Sequence, residues 1–195
     1  RDTVDAMVSV DAHGKIRVDT SYFGFHGRPR CAPKFTSAFG APRDGGAFEA
    51  HHRDVAAAFQ DTLERTALEL CAILREKTTS RNLVIAGGVA LNSVMNGRIV
   101  AESDFDDIYV MPAAGDNGTA LGAAVYVHNV VLNQPRTFVH HDPYLGTSYT
   151  DEHIGKVIAD AKLSAARHDD IASAVARLLA DGLIVGWFQG RMEIG

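Results

Sequence analysis

A single carboxylate set between glycines, Gly115-Asp116-Asn117-Gly118, follows a short apolar segment and precedes a run of small residues. Two chemistries suit it. Asp116 can accept N–H bonds from the first turn of a helix, the usual task of an aspartate in that position. It can equally project into a cleft and bind a hard or borderline cation. Upstream, Ile85-Ala86-Gly87-Gly88-Val89-Ala90-Leu91-Asn92 sets two glycines ahead of an amide. Paired glycines let a ligand come against the backbone with no Cβ in the way. The helix N-terminus that follows offers N–H groups to phosphate or ribose oxygens, and Asn92, one turn in, can both donate and accept. The alternative is a tight strand-to-helix turn in which glycine only relieves crowding. No Gly-Lys-Ser/Thr follows, so this is not a Walker loop.

Both turns need strands before them and helices after them, and the pattern supplies these. Residues 82–86 read as a short buried strand and 107–111 as a second. Helices are expected over about 90–101 and 119–132. Strand, glycine turn, helix, twice over, marks an α/β layer with a parallel sheet, and ligands on such sheets bind beyond the carboxyl ends of the strands. The two turns are therefore expected to meet at one pocket.

The longest helical pattern covers 48–77, with Val55, Phe59, Leu63, Ala67, Leu70 and Leu74 at helical spacing. His51 and His52 are adjacent, point apart on a helix, and read as a solvated first turn. Residues 6–19 read as a hairpin turning at His13-Gly14. Residues 21–46 are rich in Gly, Pro and Phe, and a loop of that length borders a site or covers a core. A linker is expected at about 135–145. Helices over 151–162 and 169–180 and a strand over 183–188 follow it.

The 195 residues allow one medium domain, or one plus part of another. With 46% hydrophobic and 22% charged residues the chain is globular. The net charge of −5 disfavours a nucleic-acid-binding face, and Arg28-Pro29-Arg30 with Lys34 is too short a basic cluster to argue otherwise. Cys31 and Cys71 have no metal-ligand spacing and read as thiols of a reduced, cytoplasmic compartment. No apolar run reaches the roughly 18 residues a bilayer span needs. The chain starts at Arg1 without an initiator Met and stops in a motif-like loop at Gly195, so it is expected to be a piece of a longer protein.

Gly87-Gly-Val-Ala-Leu-Asn92, then Pro112-Ala-Ala-Gly-Asp-Asn-Gly-Thr-Ala-Leu-Gly-Ala-Ala124, closely resembles the O-carbamoyltransferases of the nodulation-protein-U and cephem-carbamoyltransferase (NodU/CmcH) type. The closing Gly186-Trp-Phe-Gln-Gly-Arg-Met-Glu-Ile-Gly195 resembles them too, as do Phe39-Gly-Ala-Pro-Arg43 and Asp142-Pro-Tyr-Leu-Gly146. The resemblance covers nearly the whole chain and rests on the combination of motifs. It implies the C-terminal part of an actin/sugar-kinase-like (ASKHA) nucleotide domain over 1–138. Over 139–195 it implies the truncated start of a YrdC-like α/β domain.

The implied activity is transfer of a carbamoyl group from carbamoyl phosphate, through an ATP-derived carbamoyl-adenylate, to a hydroxyl of a small natural product. The implied cofactors are ATP and a divalent metal, iron at the transfer site and magnesium with ATP. By motif, Asp116 matches the catalytic, metal-binding aspartate. Gly87, Gly88 and Asn92 match nucleoside contacts, Gly115 and Asn117 flank the same pocket, and Arg191 falls where the second domain holds carbamoyl phosphate. An arginine fork suits phosphate oxygens, and Glu193 could orient Arg191. The family's metal histidines would precede Arg1, and His13, His26, His51, His52, His140 and His141 do not match them. These residues alone are therefore expected to be inactive. A sugar-kinase-like phosphotransferase, or a non-catalytic subunit of the tRNA-threonylcarbamoylation kind, are the competing functions.

Overall fold

A computed structural model describes residues 1–26, 30–43 and 45–194. The chain forms two compact units, Arg1–Gly115 and Asp116–Gly195.

The first unit opens with a one-turn helix, α1 (Asp2–Asp5), and the expected hairpin, β1 (Val8–Val10) and β2 (Ile16–Val18). The strands pair antiparallel, Val8 opposite Val18. Asp11 shapes the turn by accepting the His13 and Lys15 N–H groups at 2.9 and 3.0 Å, and Gly14 takes the positive φ of 82° that the turn demands.

The irregular stretch that follows holds a helix, α2 (Pro33–Phe39), not expected from its breakers. Pro33 sits at the first turn, where its missing N–H is harmless. Phe35 and Phe39 meet at a tilt with ring centroids 4.7 Å apart, and both reach Phe59 on the next helix. The aromatics of this segment thus cover the long helix. The basic cluster falls partly outside the described residues, which exclude Gly27, Arg28 and Pro29; Lys34 pairs with Asp19 at 2.7 Å.

The long helix α3 (Ala50–Lys77) starts two residues later than its pattern suggests. His52 Nδ1 accepts the Glu49 N–H at 3.1 Å, and His51 lies 3.4 Å from the Glu49 carboxylate. The histidine pair therefore finishes a helix end, and its rings do not point apart as expected: their centroids lie 3.9 Å from each other. Arg65 joins Asp5 and Asp61, and Thr62 donates to Asp5 at 2.8 Å, fastening α1 to α3.

Strands β3 (Asn82–Ile85) and β4 (Asp107–Val110) pair parallel, Leu83 opposite Ile108 and Ile85 opposite Val110. Helix α4 (Ser93–Glu102) connects them. Alternation sends Leu83, Ile85 and Ile108 to one face, where they pack with Cys71, Met95, Ile99 and Phe105 from α3, α4 and the loop before β4. The other face stays open: Val84 is 69% exposed. The expected strand buried on both faces is thus corrected to a half-buried one, because both helices lie on the same side.

The second unit holds α5 (Gly118–Tyr126), prolonged by a π-turn over Val127–Val131, then α6 (Asp151–Asp160) and α7 (Ile171–Ala180). Thr150 and Asp170 cap the last two helices by accepting the His153 and Ser173 N–H groups. The linker expected at 135–145 is coil and lies inside this unit. The expected strand over 183–188 is coil as well. A strand exists only by pairing with a neighbour, and no described segment pairs with it. The unit is closed by a clasp of main-chain bonds: Gly146 N–H to Met192 O, Met192 N–H to Thr147 O, and Ile194 N–H to Pro143 O, at 2.8–2.9 Å.

Candidate functional site

In the first unit the two strand-end turns are neighbours. Gly87 closes β3 and donates its N–H to the Ala114 carbonyl at 2.9 Å, while Met111 donates to Ile85 O at 3.0 Å and carries the ladder on from β4. Ala90, Ala113 and Ala114 are buried beneath. The expectation that 87–88 and 112–115 come together is met at the backbone. Gly115 ends this unit and is half-buried.

The two glycines have different reasons to be there. Gly87 has a φ of 97°, which a Cβ makes costly, so the turn itself requires glycine. Gly88 has no such φ, and a Cβ added to it would meet nothing within 4 Å. Neither backbone strain nor packing explains it among the described residues. The space in front of it is open, as it is at Gly97 and Gly122.

Asn92 is placed differently from the expectation. The helix does not run from Ala90. A 3-10 turn, Gly88–Leu91, comes first, and Asn92 is the N-cap of α4. Its Oδ1 accepts the Met95 N–H at 2.9 Å and a Gln60 Nε2–H at 3.1 Å, and its Nδ2 donates to Gln60 Oε1 at 2.8 Å. The N-terminus expected to meet phosphate is therefore partly satisfied by Asn92 itself. One N–H of the Asn92 amide has no partner among the described residues.

Gln60 continues the network. It donates to Glu64 Oε1 at 2.6 Å, and Glu64 Oε2 accepts from Arg98 at 3.0 Å. Arg98 also forks onto Glu102 at 2.7 and 2.8 Å. The Glu102 and Glu64 carboxylates raise the Arg98 pKa. Sequence reading missed Gln60, Glu64 and Arg98: Gln60 and Asn92 are 32 residues apart, and only the folded α3–α4 contact brings them together.

Asp116 and Asn117 open the second unit, both exposed. Asn117 is the N-cap of α5 and makes no side-chain cap bond. Asp116 accepts the Thr119 N–H at 3.2 Å through its main-chain oxygen. The capping role weighed for its carboxylate is thus filled by the backbone, and the side chain is left over. No three His, Cys, Asp or Glu side chains gather to hold a metal among the described residues. Asp116 is one ligand at most, so the residues present do not make a metal site by themselves.

Arg191 lies in the clasp of the second unit. Its Nε and Nη2 donate to the Gly146 and Leu145 carbonyls, both at 3.0 Å. Half of its fork is turned onto the main chain, and Nη1 has no partner among the described residues. No ion pair joins it to Glu193 among the described residues; both line an open cavity of about 620 Å3 with Tyr144 and Trp187.

The fold and the turns define an α/β protein whose two glycine turns meet at neighbouring strand ends. Its relatives narrow that class. Residues 2–125 match the family described as "Carbamoyltransferase N-terminus". Protein sll1178 of Synechocystis sp. is 37% identical over 203 residues, 98% of this chain and 33% of that protein. Nodulation protein NolO of Bradyrhizobium diazoefficiens is 37% identical over 169 residues, 85% of this chain and 31% of its own. The 3'-hydroxymethylcephem-O-carbamoyltransferase of Streptomyces clavuligerus is 29% identical over 124 residues, 62% and 22% respectively. The chain belongs to the carbamoyltransferase family of the NodU/CmcH type, and spans at most a third of the length of these relatives. No described helix is long and apolar enough to cross a membrane.

Proposed function

We propose that this chain is the nucleoside-contacting part of an O-carbamoyltransferase, in which carbamoyl phosphate and ATP yield a carbamoyl-adenylate and its carbamoyl group passes to a small-molecule hydroxyl. Water releases phosphate from the donor to leave carbamate, and a carbamate oxygen bonds the α-phosphorus of ATP as pyrophosphate leaves. The acceptor hydroxyl, losing its proton, then bonds the carbamoyl carbon as AMP leaves. The observation that carries the reading is the meeting of the two glycine turns at neighbouring strand ends, Gly87 N–H on Ala114 O, inside the family match.

The fold proposed with it is the actin/sugar-kinase-like domain over 1–138, followed by the beginning of a YrdC-like domain over 139–195. The parallel β3–β4 pair with α3 and α4 on one face supports the first part. In this reading Gly87 and Gly88 form the floor under the nucleoside, and Asn92 offers its free N–H. Gly115 and Asn117 flank the turn. Asp116 is the carboxylate this chain would contribute to an iron or other divalent ion completed by residues elsewhere. Arg191 uses Nη1 to hold the anionic carbamoyl donor, while magnesium accompanies ATP.

Product analysis of the full-length protein with ATP, carbamoyl phosphate and hydroxyl acceptors tests the reading. AMP, pyrophosphate and a carbamate ester are expected. ADP with a phosphate ester marks a sugar-kinase-like enzyme and refutes it. In the same assay Asp116→Ala is expected to fold and to lose transfer by about 100-fold or more, the order seen when a transition-state charge contact is removed.

A further inference from the structure

We propose that Gln60 is a positioning residue, held by Glu64 in the one amide orientation that makes Asn92 present a donor N–H, never an acceptor oxygen, to the bound ligand. The inference rests on the proposed nucleoside site.

Amide oxygen and nitrogen are easily exchanged, so the orientation must come from fixed partners. Here both ends of the relay are fixed. At one end the Met95 main-chain N–H is a donor only, so it selects Asn92 Oδ1 as its acceptor, at 2.9 Å. At the other end Glu64 is a carboxylate, an acceptor, and its side chain is 10% exposed. It selects Gln60 Nε2, at 2.6 Å. Arg98 donates to its other oxygen at 3.0 Å.

Between these ends the two amides meet face to face, Asn92 Nδ2 on Gln60 Oε1 at 2.8 Å and Gln60 Nε2 on Asn92 Oδ1 at 3.1 Å. A flip of Gln60 sets its oxygen against the Glu64 carboxylate. A flip of Asn92 sets its NH2 against the Met95 N–H. Each amide blocks the other's flip, so this part-buried network holds both amides in one orientation. What is left over is one Nδ2–H of the half-buried Asn92, at the end of the turn that carries Gly88. The ligand atom it meets is therefore an acceptor, such as a ribose oxygen or a ring nitrogen.

Gln60→Glu tests this, because it keeps the shape and puts two carboxylates together. Glu64→Gln in the same chain restores a donor opposite residue 60 and so lets the carboxylate at 60 stay facing Asn92 Nδ2. The readout is photolabelling of the full-length protein with 8-azido-ATP, followed by the yield of labelled peptide spanning 82–102 against probe concentration. Thermal midpoints are measured alongside.

Gln60→Glu is expected to raise the half-saturating concentration about five- to tenfold, the worth of one misdirected hydrogen bond. The double variant is expected to return it most of the way. Should the single variant fail to fold, the double variant carries the test: its labelling is expected near the wild-type concentration. A folded Gln60→Glu that labels like wild type overturns the relay alone. A folded double variant with no recovery also overturns it. Wild-type protein that takes no label on 82–102 overturns the nucleoside site itself, and the relay with it.

Discussion

Asp19 shows what one side chain can fasten when its charge is well used. Its carboxylate accepts from Lys34 Nζ at 2.7 Å and from the Ser21 N–H at 3.0 Å, and it also bonds the Ser21 hydroxyl. Lys34 first, then Ser21, pull its pKa down to about 2. The folded value lies below the unfolded one of about 3.9. The tie is thus complete above the unfolded value and is lost as pH falls through about 2. A carbon-13 titration of the Asp19 carboxyl is expected to show a midpoint near 2, moving up toward the ordinary range in Lys34→Met. A midpoint unchanged by that substitution refutes the pairing. Legibility at this scale was uneven. Asp116 and the glycine pair stood out because a carboxylate among glycines is chemically conspicuous. Asn92 stood out as an amide near a turn, but its capping role did not, because that depends on where the helix starts. Gln60 and Glu64 looked like ordinary polar residues of a helix face.

At the scale of elements, repeated spacing was readable and pairing was not. Helix α3 and the β3–α4–β4 order followed from periodicity, since apolar residues every three or four positions leave few other folds. The 3-10 turn at Gly88–Leu91 did not, because a turn's tightness is set by Ala90 burying under it. The segment 183–188 has the composition of a strand and no partner among the described residues to make it one. The clasp of the second unit was equally hidden, although Gly146 was flagged as a landmark. Its reason is now physical: a Cβ on Gly146 falls 2.7 Å from Met192 O, a backbone atom. Gly146→Ala is expected to cost about 1–3 kcal/mol of local stability. Amide exchange at Gly146 and Met192 is then faster, with α3 unaffected. Unchanged exchange in the clasp contradicts the close approach.

At the scale of the whole molecule the two units differ in kind. Every buried residue among those described lies in the first unit, ending with Ala114, and none lies at 116–194. The first unit therefore brings the glycine turns as a packed piece, with Cys71, Leu83, Met95, Ile99 and Phe105 behind them. The α/β order of the first unit and both turns could be read from sequence because each is local. The division at Gly115–Asp116 could not, because it depends on which helices pack and which do not. The function is argued at this scale as well, since the relatives extend to three times this length or more. The most direct measurement uses the full-length protein with carbon-14-labelled carbamoyl phosphate, ATP and a panel of small hydroxyl acceptors, comparing wild type with Gly88→Val. Label in a carbamate ester from the wild type, cut about 100-fold or more by the added side chain, is the predicted result. Equal label in ester from both proteins would contradict a ligand seated on that glycine.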